Sequence, residues 1–136
     1  MNKKRIATSG DAIPSGTELM CVGPLLVAVA ALDYVVNVPK GMGTIRVKKV
    51  RSFVTEALAG GSADSVTTIK KATQAMTGGT LTIADAAPVA AEDSCDIVND
   101  EHARVPEETT LVLSIAARAS GSAGEALFFI EYERCQ

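Results

Sequence analysis

The sequence predicts an all-β protein: a jelly-roll-like antiparallel β-sandwich of about eight strands with an extended N-terminal arm. Three observations carry this. Where apolar residues are periodic they recur at a spacing of two, as in Leu111, Leu113 and Ile115 or Phe128, Ile130 and Tyr132. The segments between these runs are rich in Gly, Ser, Asp and Pro. No stretch shows a convincing helical amphipathic period.

Residues 1–18 read as the arm, charged and then rich in Ser, Gly, Thr and Pro, and residues 19–136 as one sandwich domain. The run LLVAVAAL is apolar on both faces, which a short buried helix would also satisfy. Its Val content, the Gly23-Pro24 pair and the following DYVVNVP favour strands. TIRVKKVRSFVTEA alternates at Ile45 and Val47, loses register at Lys48-Lys49, and resumes with Val50, Phe53 and Val54. A β-bulge at the lysines accounts for the slip. GGSADS reads as a loop, VTTIKK as a short strand, and TLTIA as its partner or near neighbour, preceded by the Gly78-Gly79 pair. CDIVND is a further short strand. In the last strand Phe128, Ile130 and Tyr132 point inward and Glu131 and Glu133 outward, while Leu127 and Phe129 make the outer side apolar too. A second apolar face needs a cover, so Leu127 and Phe129 are expected at a subunit interface or beneath the arm.

Composition narrows the chemistry. Apolar residues make up 47% of the chain but aromatics only 4%, with no Trp, so the core is built from Val, Ile, Leu and Ala. Such a core is thin, which favours completion by neighbouring subunits. Net charge is only -3, but residues 1–56 carry eight Lys/Arg against four Asp/Glu, and residues 85–108 carry eight Asp/Glu against one Arg. These read as solvated faces, or as surfaces that meet on adjacent copies of an assembly. The basic run Arg46 to Arg51 has only Phe53 near it for stacking, so a solvated strand face is expected and not a nucleic-acid site.

Catalytic and metal signatures are weak. The single histidine, His102, lies in NDEHARVPEE and reads as a loop residue; no Gly-x-Ser-x-Gly elbow accompanies it. Asp93, Asp96, Asp100 and Glu101 lack the EF-hand spacing and its central glycine. Cys21, Cys95 and Cys135 are odd in number and unclustered, which favours free, mostly buried thiols and a reducing compartment. No enzyme activity, cofactor or metal is expected. The basic N-terminus lacks the apolar core of a signal peptide, and residues 19–32 are too short to span a bilayer, so a soluble protein without a membrane partner is expected.

Asp33-Tyr34, the strand Val66 to Lys70, the run Gly78 to Ala84 with its alanine-rich sequel, and the two closing strands together resemble small structural proteins of tailed bacteriophages. The resemblance covers about three-quarters of the chain and is one of strand chemistry, not of a catalytic signature. It departs at Pro106-Glu107-Glu108, where the pattern often has Ala-Gly-Asp before the penultimate strand. It implies a jelly-roll-like head decoration, or cement, protein, commonly a homotrimer. Such a protein is assembled in the host cytoplasm and seated on the capsid surface against the major capsid protein. Lys3, Lys4 and Arg5 of the arm would then meet that shell protein. A tail or head-fibre receptor-binding knob and a carbohydrate-binding jelly roll are the competing readings. The first is weakened by only two Tyr in the chain and the second by the missing Trp.

Overall fold

The computed structural model describes residues 16–27, 31–58, 63–118 and 124–135. Nine strands follow one another among them: β1 (Thr17–Val27), β2 (Leu32–Asn37), β3 (Thr44–Glu56), β4 (Ser65–Lys71), β5 (Gln74–Ile83), β6 (Glu92–Asp96), β7 (Arg104–Val105), β8 (Thr110–Ile115) and β9 (Gly124–Cys135). They form two antiparallel sheets. Sheet A has the order β1-β9-β3-β6 with β7 also on β3, and sheet B the order β2-β8-β4-β5. The pairs β1–β9, β2–β8, β3–β6 and β4–β5 nest inside one another, which is the wrapping of a jelly roll. The helix alternative for residues 25–32 therefore fails at both ends, since Leu25–Val27 close β1 and Leu32 opens β2.

The core lies between the sheets. From sheet A come Ile45, Val47, Val50, Val54, Phe128 and Ile130, all fully buried. Sheet B answers with Ile69, Leu81, Ile83, Leu111, Leu113 and Ile115. The slip at the lysines is a bulge: Val47 faces Tyr132 and Lys49 faces Glu131, with Lys48 left over. Beyond it the inward residues are Val50, Ser52 and Val54, so Ser52 and not Phe53 enters the core. Phe53 turns outward opposite Leu127.

Two further expectations are corrected. Gly78-Gly79 does not precede a strand but lies within β5, which already begins at Gln74. Gly78 has φ +81°, and a Cβ there would overlap the Asp96 carbonyl. The glycine lets β5 approach the chain that leaves β6, where the Val98 amide donates to the Thr77 carbonyl at 2.9 Å. That contact ties the two sheets together along one side of the sandwich. Strand β6 spans Glu92–Asp96, earlier than the expected residues 95–100. Strand β1 begins at Thr17. Residues 1–15 lie outside the described residues.

One ion pair with a buried arginine holds the loops at the β4-start end. Arg118, 3% exposed, places Nη2 3.2 Å from the Asp85 carboxylate and donates from Nε to the Ala63 carbonyl. Asp64 accepts from the Asp85 amide at 2.9 Å, so three connections are joined at one point. Arg118 is buried while Asp85 keeps 27% of its side chain exposed.

Two substitutions test this packing. Thr67 is fully buried and its hydroxyl has no hydrogen-bond partner among the described residues. Thr67→Val should therefore stabilise the fold by about 1 kcal/mol in chemical denaturation, and a loss would show that the hydroxyl is satisfied. Gly78→Ala should destabilise by about 2 kcal/mol or more, from positive φ and the overlap with Asp96 together.

Candidate assembly surface

The outer face of sheet A is built in rows, because register aligns side chains of β1, β9 and β3. Cys21, Phe129 and Arg51 form one row, and Leu127 and Phe53 the next. Leu26, Glu125 and Glu56 lie toward one end, and Leu19, Glu131 and Lys49 toward the other. Leu19 and Leu26 are 47% and 43% exposed; Leu127, Phe129 and Phe53 are half-buried. Two of the three Phe of the chain thus stand outside the core.

The opposite outer face is of another kind. On sheet B, register puts Asp33, Ser114, Thr68 and Thr80 in one row, and Ser114 donates to Asp33 at 2.6 Å. Thr and Ser dominate there, as a hydrated sheet face requires. Val35, 58% exposed, and Val112 opposite it make an apolar pair on that face, whereas on sheet A the apolar residues run across three strands. Completing the burial of a Phe or Leu contributes about 1 kcal/mol each when roughly half its surface is still wet.

Charge frames the strip. Arg46 and Arg51 each place Nε 2.8 Å from a glutamate of β9, Glu133 and Glu131 respectively. Lys48 reaches Glu133 at 3.8 Å and Lys49 reaches Asp96 at 3.6 Å. The hydrogen bond from Arg46, and then its charge and that of Lys48, hold the Glu133 carboxyl below its usual range against some desolvation. All four cations of the basic run therefore have carboxylate partners within the chain. Opposite charges distant in sequence thus meet on one sheet. Glu131 points to this face yet is only 5% exposed, because Arg51 and the neighbouring strands cover it.

The other candidates scatter. His102 sits in a single 3-10 turn, Glu101–Ala103, capped by the Asp100 carboxylate, which accepts from the His102 amide at 2.9 Å. A hydrogen bond from Thr77, with help from the His102 amide, keeps Asp100 below the usual carboxylate range. Among the described residues no group of three or more His, Cys, Asp or Glu is placed to hold a metal, so Asp93, Asp96, Asp100 and Glu101 do not converge. Nor is any described helix long and apolar enough to cross a membrane. Of the cysteines only Cys95 is buried, and burial pushes its thiol up to about 11. Cys21 is exposed and Cys135 half-buried, contrary to the expectation of mostly buried thiols. Lys3, Lys4 and Arg5 lie outside the described residues.

No protein-family model matches the chain. No curated protein matches it. Among solved structures it is similar to a chain in the capsid asymmetric unit of cyanophage Pam1, with 12% identity and a TM-score of 0.41 over 99% of this chain and 98% of that one.

Sequence reasoning found Leu127 and Phe129 from the doubly apolar last strand. It missed Phe53, Leu19 and Leu26, which join them only through the register of β3 and β1 on β9. The bulge at Lys48 was the available signal, since one extra residue reverses which side Phe53 faces.

If the strip is a contact between copies, wild-type protein should be oligomeric by light scattering at micromolar concentration and Phe129→Glu should shift it to monomer. A monomeric wild type would remove this role. The Arg46–Glu133 pair carries a pH signature. A carboxyl with a lowered folded pKa contributes stability above its ordinary value of 4.5 and loses it as pH falls through the folded value. Arg46→Ala should therefore flatten the fall in stability below pH 4.5, a modest effect because the pair is partly hydrated.

Proposed function

We propose that this chain is a structural protein of a phage virion that decorates the head shell and binds it as a homo-oligomer, in a trimer. The observation that carries this reading is the half-exposed apolar strip on sheet A, set on a rigid sandwich whose titratable groups are dispersed. A protein that works by fitting against neighbours needs surface of this kind and no perturbed catalytic group. The resemblance supports it residue by residue. Asp33-Tyr34 lie on β2, Val66 to Lys70 on β4, and Gly78 to Ile83 on β5, so the shared pattern falls on successive strands of sheet B.

The departure at Pro106-Glu107-Glu108 has a structural use that leaves the fold intact. Glu107 Oε1 accepts from the Gly41 and Gly43 amides, at 2.9 Å each, and so braces the β2–β3 loop. In this reading the arm residues Lys3, Lys4 and Arg5 contact acidic surface of the major capsid protein, an attraction near the rim that salt weakens. The protein acts without enzymatic chemistry.

Quantitative mass spectrometry of purified particles tests the role. Copy number proportionate to the major capsid protein, with the chain fractionating with heads, supports decoration; fractionation with tails transfers it to a receptor-binding knob. For the arm, Lys3, Lys4 and Arg5 replaced together by Ala should lower binding to undecorated heads and flatten its salt dependence. Unchanged binding would leave the sandwich as the sole contact.

A further inference from the structure

We infer that the free edge of β2 docks the same strand of a second copy, so that two copies of sheet B join antiparallel about a twofold axis at Val35. This contact is separate from the strip on sheet A and does not depend on the shell-binding reading.

Apart from the two-residue β7, the two sheets have four edge strands, β1, β6, β2 and β5. Three of them carry features that discourage pairing with another chain. Strand β1 contains Pro24, its pairing with β9 shifts between Val22 and Leu25, and its Leu26 carbonyl accepts from the Tyr34 hydroxyl at 3.1 Å. Strand β5 is met at Thr77 by the chain that leaves β6, through the Val98 amide. Strand β6 has five residues, and Glu92, Asp93 and Asp96 are carboxylates.

Strand β2 lacks these features. It runs from Leu32 to Asn37 against β8 without a register shift and holds no Pro, Gly or Lys. Among the described residues no strand pairs with its outer edge. Its one charge, Asp33, is turned back across the sheet to Ser114. Leu32, Tyr34 and Val36 face the core yet are only half-buried, whereas Ile69, Leu81 and Ile83 of β4 and β5 are fully buried. The sandwich is thus incomplete at this edge.

Hydrogen bonding shows which backbone groups point outward. Val38 donates to the Thr109 carbonyl and accepts from the Glu108 amide. On the other side of β8, Ala72 donates to Thr110 and Ala116 to Val66. In an antiparallel ladder the amide and carbonyl of one residue point to the same neighbour, and those of the next residue to the opposite side. Leu32, Tyr34 and Val36 are therefore bonded to β8, and the amides and carbonyls of Asp33, Val35 and Asn37 point out from the edge.

That triplet is its own complement, which is what a twofold contact requires. Antiparallel pairing centred on Val35 sets every outward-pointing residue against another: Val35 against Val35, and Asp33 against Asn37 of the second copy. Each pair exchanges two main-chain bonds, and outer faces stay outer. The Asp33 carboxylate then meets an amide able to donate to it. A centre at Asp33 would instead oppose two carboxylates, and a centre at Asn37 would leave Asp33 unpaired. The contact is small beside the roughly 1,600 Å² of a stable complex. It therefore acts between copies already held close by another contact, such as the strip.

Disulfide trapping tests this in the full chain, with Cys21→Ser and Cys135→Ser removing the accessible thiols. Directly opposed hydrogen-bonded residues have Cα atoms about 5.5 Å apart, within disulfide reach. Under mild oxidation Val35→Cys should form a covalent dimer about tenfold faster than Val89→Cys, because the contact holds the thiols at a raised effective concentration. The two positions are matched in exposure, 58% and 57%, and Val89 lies in the β5–β6 connection. Adding Asn37→Asp should slow trapping at position 35, and adding Asn37→Lys should not. Circular dichroism checks that each variant is folded. Equal trapping at positions 35 and 89 overturns the edge contact, and trapping indifferent to Asn37→Asp overturns its register. Failure of the chain to bind heads would overturn the shell-binding reading and leave this result standing.

Discussion

Sheet A depends on the insertion of the last strand of the chain between the first and the third. Strand β9 pairs with β1 on one edge and with β3 on the other, so both rows of its backbone donors and acceptors are satisfied within the sheet. Without it β1 would have no partner and β3 would keep only β6 and the two-residue β7. Residues at opposite ends of the sequence must therefore meet before the sheet exists. Such distant pairing makes folding cooperative and slow compared with a fold of local contacts.

The same strand distributes the chemistry of both faces. Inward, Phe128, Ile130 and Tyr132 fill the core, and the Tyr132 hydroxyl donates to Glu18 at 2.8 Å. Outward, Glu131 and Glu133 accept the cations of β3, while Leu127 and Phe129 form the centre of the apolar strip. Neutralising four cations within the sheet leaves a face that is apolar in the middle and only locally charged.

Both ends of the sandwich are braced across separate connections. At one, main-chain bonds such as Leu58 to Ala87 and Ala90 to Val54 act beside the Arg118–Asp85 pair, whose arginine is buried and whose aspartate stays partly exposed. At the other, main-chain bonds and the Glu107 carboxylate brace loops that remain exposed.

Period-two alternation by itself determined that this protein is all-β, and placed β4, β8 and β9 within a few residues, because the pleat sends alternate side chains to opposite faces. It also located the bulge at Lys48, since an inserted residue breaks the alternation visibly. Only the tertiary structure decided what lies beside what. Ser52 rather than Phe53 enters the core because the strand resumes its alternation at Val50, and an apolar side chain carries no mark of the face it will occupy. The Gly78-Gly79 pair resembles a turn in sequence, yet it stands inside β5 because the chain beyond β6 passes too close for any Cβ at Gly78. The basic run found its carboxylates on β9 and β6, far away in the chain, because strand order is set by long-range pairing that local pattern does not encode.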